Sequence, residues 1–246
     1  MTGPAFLAGP DGLRLAYRYQ SGNGPLIVFL PGYASDMLGS KAEAVAAWAA
    51  AQGRAMLRLD YSGCGESEGD FAAGTLARWR DDAALIIDHI DADRLVLIGS
   101  SMGGWLALLL AQALGERVVG LIGIAAAPDF TQWGFSDEEK GELQANGRLE
   151  RFSDYGPEPM VTTHGFWHSG QANLMLDSHI LIDCPVRLIQ GQCDTAVPWQ
   201  TALTLADRLC SADVQVQLVK DGDHRLSRDQ DIALLLRTLD ALLESL

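Results

Sequence analysis

Between Arg94 and Leu110 the chain reads RLVLIGSSMGGWLALLL, and no other stretch narrows the possible folds as much. Leu95-Val96-Leu97-Ile98 is a short apolar run with β-branched members, the pattern of a strand buried on both faces. It passes through Gly99-Ser100-Ser101-Met102-Gly103 into an apolar, helix-forming segment, Trp105 to Leu114. A strand that turns straight into a helix holds the residue at the turn in a strained backbone. The positions two residues either side are crowded, so both must lack a side chain. Gly-x-Ser-x-Gly in this setting puts Ser101 at the carboxyl edge of a sheet, above free N–H groups that favour developing negative charge. Ser100 is a second hydroxyl, but no glycine pair brackets it. A glycine-rich turn with incidental serines would look the same, so the rest of the chain has to decide.

The rest of the chain alternates. Gly9-Pro10-Asp11-Gly12 marks the turn of an N-terminal hairpin. Leu26–Leu30 reads as a buried strand stopped by Pro31-Gly32, and an alanine-rich helix over Ser40–Gln52 is ended by Gly53. A strand at Ala55–Leu59 leads into a glycine-rich loop, Asp60–Ser67. Leu76, Trp79, Ala83, Ile86 and Ile90 form one stripe of an amphipathic helix, with His89 off it and in solvent. Further strands read at Val118–Ile124, Val186–Gln190 and Val214–Val219, and further helices over about Trp199–Leu209 and Asp229–Leu243. This alternation predicts an α/β fold with a mostly parallel sheet and helices on both faces.

From Pro128 to Asp183 the rhythm stops, and no strand–helix unit is readable. So long an irregular stretch is usually a functional excursion. We expect a core of residues 1–127 and 184–246 carrying a small, partly helical cap, 128–183. The cap is rich in aromatics: Phe130, Trp133, Phe135, Phe152, Tyr155, Phe166 and Trp167, with Ser153-Asp154-Tyr155-Gly156-Pro157 as a turn. These rings either line an apolar acyl pocket (Trp133, Phe166 and Trp167, joined by Trp199) or form the core of the cap itself.

Composition excludes some partners. With 246 residues, 48% hydrophobic and 20% charged, one domain with a sizeable core is expected. Eighteen basic against 32 acidic residues, a net charge of -14, argue against nucleic acid and anionic membrane surfaces. No apolar run is long enough to span a bilayer, and MTGPAFLAGPDG has neither a secretion nor a transit pattern, so a cytoplasmic location is expected. Cys64, Cys184, Cys193 and Cys210 show no metal or disulfide spacing. Cys64, in a glycine turn without an adjacent base, reads as a structural thiol. His164, His168 and His179 lack ligand spacing, so no metal is expected.

A serine hydroxyl needs a base to take its proton, and the base needs a third group to fix its tautomer and steady its charge. On a sheet of this kind the order is serine, acid, histidine, each at the end of a strand. Asp194 follows the Val186–Gln190 strand, and His224 follows the last strand within Asp221-Gly222-Asp223-His224. Asp194 could equally be a turn cap and His224 an ordinary loop residue, but neither reading explains why both fall where Ser101 requires them. Asp221 and Asp223 lie too near His224 in sequence to orient it. A tetrahedral oxyanion needs two backbone N–H donors; fold logic assigns them to Met102 and, in Pro31-Gly32-Tyr33, to Tyr33.

Together these residues resemble the α/β-hydrolase superfamily over nearly the whole chain. LPGYASDMLGSKA, RLDYSGCGES, LARWRDD, IGSSMGGW, CPVRLIQG, DTAVPWQ and GDHRLS are similar to the palmitoyl-protein thioesterase and acyl-glucuronide esterase subgroup. Pro31-Gly32 stands where the superfamily often has His-Gly, as in that subgroup. The resemblance implies Ser101 as nucleophile, Asp194 as acid and His224 as base, hydrolysing a small-molecule acyl ester or thioester, or an acylated protein, without a cofactor. The alternatives are a ligand-binding relative that has kept the fold without catalysis, and a hydrolase of peptide or C–C bonds.

Overall fold

The computed structural model describes residues 3–153 and 156–246, and their side chains outside 152–158. In order, β1 (Ala5–Ala8), β2 (Arg14–Gln20), β3 (Asn23–Leu30), α1 (Ser40–Ala51), β4 (Arg54–Leu59), α2 (Leu76–Ile90), β5 (Leu95–Ser100), α3 (Met102–Leu114) and β6 (Val118–Ile124) build the first half. An excursion follows with α4 (Phe130–Trp133), α5 (Asp137–Asn146), β7 (Arg148–Ser153), β8 (Gly156–Thr163) and α6 (His164–Gln171). The chain then completes the sheet with β9 (Val186–Gly191), α7 (Gln200–Arg208), β10 (Val214–Val219) and α8 (Asp229–Glu244).

One eight-stranded sheet runs in the order β1-β2-β4-β3-β5-β6-β9-β10. β1 pairs antiparallel with β2, β2 antiparallel with β4, and every other neighbour is parallel. The expected α/β architecture, with its N-terminal hairpin and mostly parallel sheet, is the one observed. Each sheet face has its own apolar layer. On one side Leu26, Val28, Leu95 and Leu97 meet Trp79, Ile86, Leu106 and Leu110 of α2 and α3. On the other, Ile27, Phe29, Val96 and Ile98 meet Val45 of α1 and Leu239 and Leu242 of α8. Two buried faces explain why β3 and β5 read as continuous apolar runs rather than alternating ones.

Helix ends follow local chemistry. The Thr75 hydroxyl accepts from the Arg78 N–H (3.1 Å) and starts α2. Ser136 and Glu139 form a reciprocal capping box on α5. Gly53, at φ 62°, lets the chain leave α1 for β4.

The excursion departs from expectation. It is largely regular, and β7 and β8 form an antiparallel ribbon that the sequence pattern does not reveal. The reason is in the residues: Pro157 and Pro159 interrupt β8, and Arg148, Glu150 and Arg151 charge β7. A two-stranded ribbon has only edges, where proline and charge are tolerated and alternation is weak. The turn expected at residues 153–157 and the Tyr155 ring fall on or beside Asp154 and Tyr155, outside the described residues, as does the Phe152 side chain.

Candidate active site

The turn between β5 and α3 shows why its glycines are needed. A Cβ on Gly99 would lie 2.1 Å from the Gly103 carbonyl oxygen, and one on Gly103 would lie 2.1 Å from that of Leu30. Gly104 is equally constrained, since a Cβ there would lie 2.5 Å from Ala126 Cβ. Ser101 itself sits at φ 55°, ψ -120°, a conformation ordinary side chains avoid. The sheet fixes it there: its N–H donates to Ile124 O (2.9 Å), and its carbonyl accepts from Gly104 N–H (2.9 Å) and Ala127 N–H (3.0 Å). Ser101 occupies the N-cap position of α3 yet makes no side-chain cap, which leaves its hydroxyl for another partner.

That hydroxyl lies 3.1 Å from His224 Nε2, and His224 Nδ1 lies 2.8 Å from Asp194 Oδ2. Three residues expected from the sequence therefore meet at the carboxyl ends of β5, β9 and β10. Asp194 divides its two oxygens between partners. Oδ1 accepts from the N–H groups of Ala196 and Val197, each at 2.8 Å, as a turn-forming aspartate does, while Oδ2 faces the imidazole. Its side chain is 0% exposed. Burial pushes its carboxyl up; the His224 hydrogen bond and charge and the two backbone donors outweigh that and hold it below the usual carboxylate range.

Asp221 is occupied by Arg228 (2.8 Å), and Asp223 Oδ1 accepts from Leu226 N–H (2.9 Å). His164 stacks against His168 in α6, within the excursion, and His179 is exposed. Among the described residues no cluster of histidine, cysteine or carboxylate has the arrangement of a metal site. His89 is exposed, with its ring edge-on to Tyr17 at 5.9 Å.

The Pro31-Gly32-Tyr33 loop runs directly beside the serine. A Cβ on Gly32 would stand 3.2 Å from Ser100 O and 3.3 Å from Ser101 Cβ. Met102 begins α3, where the first N–H groups lack intrahelical acceptors. The Tyr33 side chain adds a feature the sequence did not announce. Its hydroxyl donates to Val161 O in β8 (2.7 Å), and its ring packs on Phe166 (4.7 Å between centroids) and Phe71 (5.1 Å). The far end of the same loop is pinned by Asp60, which accepts from Met37 N–H (2.7 Å) while burial pushes its own carboxyl up to about 6.

The expected pocket aromatics divide. Phe166 is 1% exposed and packs among Tyr33, Trp79 and Phe130, and Trp167 joins Phe135, Leu143 and Leu149 in a separate cluster with its Nε1 donating to Thr131 O (3.0 Å). Phe166 thus packs α6 onto the main core, and Trp167 packs within the excursion. Trp133 and Trp199 are half-buried; Trp133 Nε1 donates to Pro128 O (2.8 Å), and Trp199 precedes α7.

Sequence reading also passed over Gln190. It is buried at the end of β9, and its Nε2 donates to Asp194 Oδ2 (3.0 Å), the same oxygen that faces His224. A buried-strand amide four residues before the candidate acid was the available signal. Cys64 is buried, and burial first, then the nearby carboxylates of Asp60 and Asp82, push its thiol up to about 12. Native protein treated with iodoacetamide at neutral pH is expected to carry label on exposed Cys193 and Cys210 and none on Cys64. Peptide mass spectrometry reads this directly, and labelling of Cys64 at a comparable rate would contradict it.

This sheet, with a strained serine at a strand–helix turn and an imidazole and carboxylate on later strand ends, defines an α/β-hydrolase. The chain belongs to that superfamily and, within it, to the ABHD10 family. It is 41% identical to the human mitochondrial palmitoyl-protein thioesterase ABHD10 over 249 residues, covering 100% of this chain and 81% of that protein. The structure of mouse α/β-hydrolase domain-containing protein 10 superposes with a TM-score of 0.93 at 40% identity, over 99% of both chains. A putative hydrolase from Agrobacterium vitis S4 gives 0.92 at 40% identity, over 99% of this chain and 98% of its own. Residues 23–140 match the family model described as serine aminopeptidase, S33. Among the described residues no helix is long and apolar enough to cross a membrane.

Proposed function

We propose that this chain is a serine hydrolase that cleaves acyl thioesters and carboxylic esters through an acyl-enzyme on Ser101. The observation that carries the reading is the hydrogen-bonded series Asp194–His224–Ser101, with contacts of 2.8 and 3.1 Å. Ser101 Oγ attacks the acyl carbon as its proton passes to His224 Nε2. Ionised Asp194 holds Nδ1–H and balances the imidazolium. The oxyanion is received by the N–H groups of Met102 and Tyr33. The C–S or C–O bond then breaks, and the leaving thiol or alcohol takes the proton from His224. Water, deprotonated by the same imidazole, releases the acid and restores Ser101. The sequence of steps calls for no cofactor.

The relatives named palmitoyl-protein thioesterases support long acyl thioesters, including acylated protein, as the substrate class; acyl glucuronides enter our reading only as a related ester. Residues 128–183 act in this reading as a cap over the carboxyl edge of the sheet, with half-buried Trp133 and Trp199 facing the acyl chain. The four unpaired cysteines favour a reducing compartment; the cytoplasm is our reading, although the named relatives are mitochondrial.

The test is a fluorophosphonate probe followed by peptide mapping, with a panel of thioesters from acetyl to palmitoyl and a peptide anilide beside it. Label on Ser101 and turnover extending to palmitoyl are expected. Label elsewhere, or none, would overturn the serine mechanism. Turnover confined to acetyl would remove the long-chain assignment, and faster cleavage of the anilide would favour the aminopeptidase activity named by the family model.

A further inference from the structure

Lys41 lies in the first turn of α1, where a cation is disfavoured by the helix dipole. It is half-buried, and its ammonium reaches across the molecule to the loop that carries His224. Nζ donates to the carbonyl of Arg225 and to Ser227 Oγ (3.3 Å), residues more than 180 positions away. That loop is under tension. Leu226 adopts φ 44° although it has a side chain, and a turn of this kind persists only where its surroundings over-determine it. Asp223 Oδ1 holds the turn from within by accepting from Leu226 N–H (2.9 Å), the buried Leu226 side chain holds it from below, and Lys41 holds it from a separate helix. The loop entering α1 is the Pro31–Gly39 stretch that lies beside Ser101. Lys41 therefore joins the segment offering the Tyr33 N–H to the segment offering the imidazole.

We propose that Lys41 is a positioning residue for the hydrolase reaction: as an ammonium it holds the His224 loop at the distance and angle Ser101 and the oxyanion donors require. The role rests on the serine-hydrolase reading above, and it concerns the reacting geometry rather than substrate binding.

The charges around Lys41 are mixed. Asp223 from the loop and Asp231 from α8 attract it, Arg225 repels it, and burial outweighs them, bringing its ammonium down to about 8. On its own helix, Glu43 is engaged by Arg58. As pH rises through that value the strut loses its charge and keeps only a weaker neutral donor. The unfolded chain still binds the proton there, so the Lys41 contribution favours folding over the same interval, and Tm recorded across it separates a fall in rate from melting.

The experiment compares wild type, Lys41→Met and Lys41→Arg on one acyl thioester, with Tm recorded for each. Lys41→Met is expected to lower kcat by about 10- to 100-fold with KM little changed, the effect of a small displacement of reacting groups. Lys41→Arg is expected to recover most of the rate. Wild-type kcat should fall as pH rises past about 8, whereas Lys41→Arg, whose guanidinium stays charged, should hold its rate through that range. Superimposable pH profiles for wild type and Lys41→Arg, or a Lys41→Met loss entirely in KM, would overturn the proposal. If Lys41→Met does not fold, the Lys41→Arg profile decides alone. Failure of Ser101 to take the fluorophosphonate would instead refute the hydrolase reading, so the two outcomes are separable.

Discussion

Replacing Ser101 by alanine is expected to lower kcat on acyl thioesters by about a million-fold, the size of loss seen when a hydrolytic nucleophile is removed. Fluorophosphonate labelling should vanish with it. The fold should remain, because Ser101 makes no side-chain cap and its backbone contacts to Ile124, Gly104 and Ala127 survive the change. Asp194→Asn should cost less, about ten-thousand-fold in kcat. Its Oδ1 can still serve the Ala196 and Val197 N–H groups, but an amide NH2 would then face His224 Nδ1, turning the imidazole to the tautomer that cannot accept the serine proton. KM should change little in both variants. Single-turnover assays on protein checked by circular dichroism would read these losses, and a Ser101→Ala rate within tenfold of wild type would end the assignment.

The second large effect concerns folding. Gly103→Ala places a methyl 2.1 Å from the O of Leu30, the last residue of central strand β3, and 2.6 Å from Pro31 O just after it, both backbone atoms. No rotamer relieves that clash, because the methyl is fixed by the backbone. Relief requires α3 to move off β3, parting Leu106 and Leu110 from the sheet face they pack on. We expect a loss of about 3 kcal/mol, which for a chain of this size is about 6–12 °C in Tm. Gly141→Ala is the matched control. It lies within α5, a Cβ there meets nothing within 4 Å, and alanine in an exposed helix should raise stability by about 0.5–1 kcal/mol. Thermal melts of the two variants should move in opposite directions, and equal shifts would show that the crowding at the turn is easily relaxed.

How much of this could be read from residues alone depends on how far each cause lies along the chain. The strand–turn–helix around Ser101 was legible because Gly99 and Gly103 stand at a fixed spacing around the serine, although only the Gly99 clash, with Gly103 O, is local and the Gly103 clash is with Leu30 O on β3. Asp194 and His224 were legible because sheet topology fixes where strand ends fall, and β9 (VRLIQG) and β10 (VQVQLV) are rich enough in Val, Leu and Ile to be read as strands. The β7–β8 ribbon was not, because its strands lack the alternation that burial imposes on one face. Phe166 and Trp167 could not be assigned between pocket and packing, since an aromatic residue type is the same in either. Gln190 and Lys41 were hidden for another reason. Each acts on a partner chosen by the fold, and a buried amide or a helix-start lysine carries no sign of which loop it will meet.

The left-handed backbone at Ser101 has a further consequence. Glycine would sit there without strain, so a chain selected for durability alone would drift toward glycine at this position and gain in resistance to heat what it lost in chemistry. Persistence of a hydroxyl-bearing residue at such a position is a record of selection for turnover. Among descendants of this chain that have abandoned catalysis, this position should be the earliest to change, ahead of Asp194 and His224, neither of which has a positive φ of its own.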